Sequence, residues 1–184
     1  MKIIYVAIFF FLSCTIYEKK LDNPVDNTAN ELIGINPPSL VFYPKTQTKK
    51  MTDTVSLGAY LVVDDSSDFS FSGAHLNINY DPQILQLDSL KPGWIGPESL
   101  TDSNTITPLF TSILEPGIIN VFAYYINTKY VLIDSLTHIA EIYFSPIQSG
   151  EVVVTYDTTE CDIVDYNANS VIINGVRSAS IIIE

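Results

Sequence analysis

Short stretches of the chain alternate strictly between apolar and polar residues, a period of two that gives an extended strand one buried and one outward face. In TVSLGAYLVV the apolar side consists of Val55, Leu57, Ala59, Leu61 and Val63. In AHLNINY the apolar side consists of Leu76, Ile78 and Tyr80, and the outward side of His75, Asn77 and Asn79. No window of the chain shows a convincing helical period, so the pattern predicts an all-β fold.

A strand-and-turn composition continues to the end of the chain, as runs of β-branched and aromatic residues separated by Gly, Pro, Asn and Asp. Such runs are typical of strands joined by turns. Further strands are predicted at Ser39–Tyr43, Ile84–Leu90, Ile106–Phe110, Ile118–Ile126, His138–Phe144, Glu151–Tyr156, Ser170–Ile173 and Ser178–Ile183. About nine or ten strands, with no helices to cover a parallel sheet, favour an antiparallel β-sandwich.

The alternating strand that ends at Tyr80 is followed at once by Asp81-Pro82, and an apolar stretch resumes at Ile84. Proline lacks the N–H that a central ladder needs and restricts the residue before it. We therefore expect a corner at which the chain leaves one strand and enters the next without a long loop. Tyr80 is expected to point inward.

The N-terminus has the pattern of an export signal, in which Lys2 precedes an apolar run from Ile3 to Leu12. A run of about ten residues is too short to cross a bilayer, which takes roughly 20. The stretch Phe11-Leu12-Ser13-Cys14 resembles the bacterial lipobox, with Phe11 in place of the usual leucine. This resemblance implies that residues 1–13 are removed and that Cys14 is lipidated. A signal-peptide cysteine that is simply discarded is the alternative.

Polar residues without periodicity form a predicted tether over residues 14–37, ahead of a domain at residues 38–184. A flexible segment of this length has a reach of about 25–30 Å. We expect a protein exported and lipid-anchored to the bacterial cell envelope. Thr15, where an Asp would favour the inner membrane, favours the outer membrane or cell surface. The net charge of −12, with nine scattered basic residues, provides no basic stripe for nucleic acid.

The order of several short motifs resembles the cohesin family. The motifs are Tyr80-Asp81-Pro82 followed by Ile84-Leu85, the stretch from Ile139 to Phe144, the Gly-led strand from Gly150 to Tyr156, the acidic loop DIVDYNANS, and the turn Asn174-Gly175. The resemblance covers residues 38–184 and implies a jelly-roll topology. It also implies a non-catalytic module that binds a dockerin, a small helical module with calcium-loaded loops, through one sheet face and its adjacent loops.

Two other functions stay open at this point. Carbohydrate-binding modules share the sandwich architecture, and their flat sites need exposed aromatic rings, for which the candidates are Tyr60, Trp94, Tyr124, Tyr125 and Tyr130. The third hypothesis is a structural domain of a surface assembly. No partner-binding residue is assigned, because binding specificity in such sandwiches has no fixed motif.

Catalytic and metal-binding chemistry has little support in the sequence. The only histidines, His75 and His138, lie in predicted strands away from any nucleophile or metal motif. Two acidic clusters could attract Ca²⁺, which takes six to eight oxygen ligands; they are Asp64, Asp65 and Asp68, and Asp157, Glu160, Asp162 and Asp165. We interpret both as solvated turns and expect no metal or other cofactor. With Cys14 lipidated, Cys161 has no disulfide partner and is expected to be a partly buried thiol at a strand end.

Overall fold

The computed structural model describes residues 35–64, 69–95, 108–126, 130–133 and 135–184. The regular elements of these residues are the strands β1 (Ser39–Tyr43), β2 (Thr46–Lys49), β3 (Val55–Val62), β4 (Phe69–Asn79), β5 (Leu85–Pro92), β6 (Leu109–Glu115), β7 (Ile118–Tyr124), β8 (Val131–Ile133), β9 (Leu136–Pro146), β10 (Gly150–Tyr156), β11 (Asp162–Asp165), β12 (Gly175–Arg177) and β13 (Ala179–Ile183). A helix of the length and apolarity needed to span a membrane is not found in this part of the chain.

The strands form two sheets that pack face to face around a shared core. The smaller sheet has the order β12-β1-β3-β9-β5, and the larger has the order β2-β13-β10-β4-β7-β6, with β8 and β11 also paired to β4. The predicted all-β sandwich is confirmed. The sheets are mixed rather than wholly antiparallel, because β1 runs parallel to β12 and β2 runs parallel to β13. Alternation along a strand records its buried side but not the direction of its neighbour, so the sequence could not reveal these pairs.

Some strand predictions need correction. The segment Ser170–Ile173 is not a strand: Ser170 forms only an isolated bridge to Val164, and no ladder follows it. The prediction Ile106–Phe110 lies partly outside the described residues, and the strand in that region, β6, continues to Glu115. The short strands β2, β8, β11 and β12 were not predicted, because three or four residues are too few for a periodic signal.

Inward side chains of both sheets form one core, and its largest fully buried members are Phe42, Phe71, Phe144, Leu40, Leu57, Leu61, Leu76, Ile78, Leu85, Ile119, Ile139 and Ile142. Phe42 of β1 and Tyr156 of β10 join the sheets, since their rings stack with centroids 4.0 Å apart and planes 3° from parallel. The hydroxyl of Tyr156 donates to the backbone oxygen of Val41 at 3.1 Å. This bond satisfies a polar group that would otherwise be costly to bury.

The described chain begins with packed residues on the outer side of the smaller sheet. Ile35 is buried there against Val41 and Val62. The side-chain amide of Asn174 donates to the backbone oxygen of Pro37 at 2.8 Å, which ties this first segment to the C-terminal part of the domain. Packing therefore starts a few residues ahead of position 38.

The Asp81-Pro82 break is a corner between the two sheets, as expected. It connects β4 of the larger sheet to β5 of the smaller sheet. The carboxylate of Asp81 accepts a bond from the Gln83 N–H at 2.8 Å, and its backbone oxygen accepts one from the Leu85 N–H at 3.1 Å. Tyr80 packs against the core, with its ring centroid 5.1 Å from that of Phe144.

Neighbouring valines in β10 provide a matched test of which side of the sandwich is core. Val154 is fully buried, whereas Val153 is 51% exposed. Val154→Ala should lower the free energy of unfolding by about 2 kcal/mol, through lost burial and the cavity left behind. Val153→Ala should change it by less than about 0.5 kcal/mol. Equal effects of the two substitutions in urea denaturation would contradict the assigned faces.

Candidate functional site on the outer face of the larger sheet

The strands β4, β7 and β6 lie side by side, and their pairing places outward side chains in rows across the sheet. We call this surface the outer platform, and its rows are Gly73, Tyr124 and Leu109; His75, Phe122 and Thr111; Asn77, Asn120 and Ile113; and Asn79, Ile118 and Glu115. These residues alternate with the buried ones on the same strands, such as Leu76 and Val121. The outer platform is thus the reverse side of the core-forming strands.

The middle of the outer platform is held by contacts among its own side chains. His75 stacks on Phe122, with ring centroids 4.4 Å apart and planes 8° from parallel. The Nε2 atom of His75 lies 2.9 Å from Oδ1 of Asn120, and the side-chain amide of Asn77 donates to the same oxygen at 3.1 Å. Because these side chains are already ordered, a binding partner would have little side-chain entropy to remove.

Apolar side chains reach solvent along β6, at the edge of the outer platform. Leu109 is 55% exposed and Ile113 is 56% exposed. Exposed apolar residues that lie close together on one strand can form part of a surface that contacts another macromolecule. An open groove with a volume of about 430 Å³ lies at the Pro82 corner, where Leu85, Leu114 and Ile147 are among the residues that line it.

The position of the Tyr124 ring, in the row Gly73, Tyr124 and Leu109 at one end of the outer platform, depends on Gly73. A β-carbon at this position would overlap ring atoms of Tyr124, so the missing side chain allows the tyrosine ring to lean over β4. Asp162 of β11 pairs with His75 on the other edge of β4. The pKa of Tyr124 is raised above its ordinary value by burial first and by the charge of Asp162 second.

The predicted aromatic candidates lie on different surfaces. Tyr124 lies on the outer platform, and Tyr130 contacts Tyr166 at a centroid distance of 4.5 Å. Tyr125 belongs to the core, where burial raises its pKa to about 12. Of the remaining two, Tyr60 lies in the central strand β3 of the smaller sheet and stacks on His138 at 4.5 Å, and Trp94 follows β5 at the edge of that sheet. The structure therefore does not bring the five together into one flat row.

The histidines and nearby hydroxyls do not form a nucleophile–base pair in the described residues. Nε2 of His138 lies 3.1 Å from Oε2 of Glu141, and the hydroxyl of Ser56 donates to the other carboxylate oxygen. The carboxylate thus stands between the serine and the imidazole, so the imidazole is not placed to remove the serine proton. The other histidine, His75, lies on the larger sheet, where its ring nitrogen is within hydrogen-bond distance of Asn120 on the neighbouring strand.

The acidic turns have structural partners. Asp157 accepts bonds from the hydroxyl and N–H of Thr159, at 2.6 and 3.1 Å, and these bonds lower its pKa. Asp165 accepts from the N–H groups of Asn167 and Asn169 at 2.8 and 2.9 Å, and its pKa is lowered mainly by Asn169. Among the described residues no group of His, Cys, Asp and Glu is arranged to hold a metal ion.

Other predicted residues have simpler outcomes. Asp65 and Asp68 lie outside the described residues, as does Cys14, whereas Asp64 is exposed two residues after the end of β3. Cys161 is a free, partly buried thiol just before β11, as expected. Its sulfur accepts a bond from the Asn77 N–H at 3.3 Å, and burial raises its pKa to about 11, which makes it a poor nucleophile.

Sequence reasoning missed most of the outer platform. Alternation marked His75, Asn77 and Asn79 as outward-facing, but it could not show that β7 and β6 continue the same surface. The exposed residue Ile113 lies in a strand that was predicted to end earlier. The one available signal was Gly73 inside a strand pattern, which often marks a close approach by another group.

Comparison with known proteins gives one family. A family model described as Cohesin domain matches residues 41–182. A search of curated proteins finds no match. Among solved structures, the sixth cohesin of scaffoldin B from Acetivibrio cellulolyticus, crystallised with a Cel5 dockerin, superposes with a TM-score of 0.61 at 16% identity over 79% of this chain and 98% of that one.

Two further solved structures come from quite different sources. A non-cellulosomal cohesin from the archaeon Archaeoglobus fulgidus gives a TM-score of 0.57 at 14% identity, covering 79% of this chain and 90% of that one. The cohesin module of a family 33 glycoside hydrolase from Clostridium perfringens gives 0.56 at 12% identity, covering 80% and 99%. At such low identities the structures establish the fold, the jelly-roll sandwich that the sequence resemblance implied.

The contact between Gly73 and Tyr124 can be tested by a double-mutant cycle. Gly73→Ala should lower the free energy of unfolding by about 1–3 kcal/mol, because the added methyl group displaces the tyrosine ring. In a Tyr124→Ala background the same change should cost less than half as much, since the obstructing ring is gone. Urea denaturation of the four proteins measures the cycle, and strictly additive effects would contradict the contact.

Proposed function

Because the chain belongs to the cohesin family, we propose that it is a non-catalytic attachment module that binds a dockerin-type protein on the outer platform. The observation that carries this proposal is the rigid outer platform itself, with the exposed residues Leu109 and Ile113 beside an ordered polar network. Similar cohesins from Acetivibrio cellulolyticus and Clostridium thermocellum were crystallised in complex with dockerins.

The size of the outer platform suits a partner of small-domain size when nearby loops contribute. Strands lie about 4.8 Å apart and rise about 3.4 Å per residue, so the three neighbouring strands of about seven residues cover roughly 14 by 24 Å. A stable interface buries about 800 Å² on each partner. The flat part supplies somewhat less than half of this area, so neighbouring residues, among them the exposed pair Tyr130 and Tyr166, would contribute the rest.

The membrane anchor is the second part of the proposal. The lipobox-like stretch ending at Cys14 supports lipidation, which would attach the exported domain to the cell envelope, at the outer membrane or cell surface, through a tether at residues 14–37. Each buried methylene of an acyl chain contributes about 0.8 kcal/mol to membrane binding. The acidic domain gains nothing from anionic lipid heads, so the acyl chains would supply the attachment.

A polysaccharide remains the alternative ligand. The observation in its favour is the ring pair of Tyr130 and Tyr166, which are 42% and 46% exposed. Against it, the five predicted aromatic candidates are divided between two surfaces and the core. A structural role in a surface assembly, without any dockerin, is the third hypothesis.

Capture of a dockerin tests the protein-binding proposal. Residues 15–184 are immobilised and exposed to a recombinant dockerin module encoded in the same genome, with calcium or with EDTA. Calcium-dependent binding is expected, and Ile113→Arg should weaken it at least tenfold, because it places a long charged side chain on the contact surface. Calorimetry or surface plasmon resonance gives the Kd.

The matched control for that experiment introduces the same arginine elsewhere. Ser89 is exposed on β5 of the smaller sheet, so Ser89→Arg should leave the Kd unchanged. Equal weakening by both variants would move the binding surface away from the outer platform. If dockerins are not bound but an affinity gel containing polysaccharide retards the protein, the carbohydrate hypothesis replaces this one.

Metabolic labelling tests the anchor. Cells expressing the full chain are grown with a fatty-acid analogue, and the wild-type protein is expected to incorporate label and to fractionate with membranes. Cys14→Ser should incorporate none, because the acylated sulfur is gone, while Cys161→Ser should label like wild type. Incorporation of label by Cys14→Ser would show that the lipid, if any, is attached elsewhere.

A further inference from the structure

We propose that Tyr124 and Asp162 form a subsite of the outer platform that accepts a guanidinium group, the side chain of an arginine on the bound partner. This inference rests on the proposed protein-binding function and specifies the chemistry of the partner. It concerns one end of the surface, where β7, β4 and β11 lie next to each other.

Asp162 of β11 lies beside this surface, across the ladder from His75, and differs from the exposed carboxylate of Glu115 in being partly buried. It is partly buried, yet it makes no hydrogen bond or ion pair with any described residue. Its neighbours in sequence differ: Asp157 and Asp165 accept bonds from their own turns. A carboxylate that is partly removed from water and unpaired is stabilised by a hydrogen-bonding cation.

Tyr124 supplies the second feature, an aromatic ring that leans over Gly73 instead of standing upright between neighbours. The ring is only partly buried, so part of it is accessible to a partner. A cation over such a ring is attracted by the negative face of the ring, and more strongly as the cation is desolvated. A guanidinium can stack on the ring and also bond to a carboxylate, which an ammonium group does less well.

Charge complementarity favours a basic side chain of the partner at Asp162, rather than a neutral side chain or a calcium ion. The strands β4, β6, β7, β10 and β11 contain no lysine or arginine, so none of these strands supplies a cation to Asp162. The described basic residues are Lys45, Lys49, Lys50, Lys91 and Arg177, which lie on the smaller sheet or around β2. A single carboxylate is also too few oxygen ligands for Ca²⁺.

A partner-independent titration tests the subsite. The full chain carrying Cys14→Ser is labelled with ¹⁵N and titrated with N-acetyl-arginine-methylamide or with the citrulline analogue, which is nearly isosteric but neutral. The arginine probe is expected to shift the amide signals of Tyr124, Asp162 and their neighbours in a saturable way, and the citrulline probe is not. Equal shifts with both probes, or no shifts with the arginine probe up to about 50 mM, overturn the proposal.

Substitutions distinguish a specific contact with the Asp162 carboxylate from a general effect of the negative charge of the domain. Asp162→Asn should abolish the arginine-specific shifts, whereas Asp88→Asn, which removes the same charge from β5 on the smaller sheet, should leave them unchanged. Tyr124→Leu should weaken them and Tyr124→Phe should preserve them, because the ring and not the hydroxyl is the contact. If Asp88→Asn acts as strongly as Asp162→Asn, the effect is long-range charge and the subsite is wrong.

The captured dockerin gives an independent readout. Asp162→Asn should weaken its binding about tenfold and flatten the dependence of Kd on salt, because a charged contact is lost. Binding of the dockerin without any effect of Asp162→Asn would leave the proposed function intact and overturn the subsite. Arginine-specific shifts without dockerin binding would support the subsite and contradict the dockerin as partner.

Discussion

The strand β4 is the constraint on which both faces of the larger sheet depend. It pairs with β7 and β8 along one edge and with β10 and β11 along the other. Its inward residues Leu76 and Ile78 are fully buried, and its outward residues His75 and Asn77 carry the polar network. A shift of one residue in register would exchange the two sets. The burial of the core therefore fixes the position of the outer platform.

The sequence predicted the parts of this arrangement that depend on burial alone. Alternation placed the core sides of β3 and β4 correctly, and the missing N–H of Pro82 located the corner between the sheets. It could not give the parallel pairing of β1 with β12, because period two is the same for either direction. Nor could it separate Ser170–Ile173 from a strand, since an extended segment that makes one bridge has the same composition as a short edge strand.

The candidate site was less predictable, because a sheet surface is assembled from strands that are distant in sequence. Tyr60 and Tyr124 both face outward from their strands, yet they lie on opposite sheets, and only the strand order shows this. Tyr125 follows Tyr124 directly and is buried. Aromatic content therefore indicated a binding surface in general, while neighbours across the ladder determine which rings share it.

The two kinds of contact on the outer platform would contribute differently to recognition. Exposed apolar residues such as Ile113 lose water to any partner of suitable shape, so they supply affinity with little selectivity. A partly buried carboxylate that no described residue pairs does the opposite, because a binding partner without a cation would leave Asp162 further desolvated without giving it a counter-charge. The general acidity of the domain brings basic partners closer at long range but is screened by salt. Discrimination among partners is therefore expected to depend on Asp162 and Tyr124 more than on total charge.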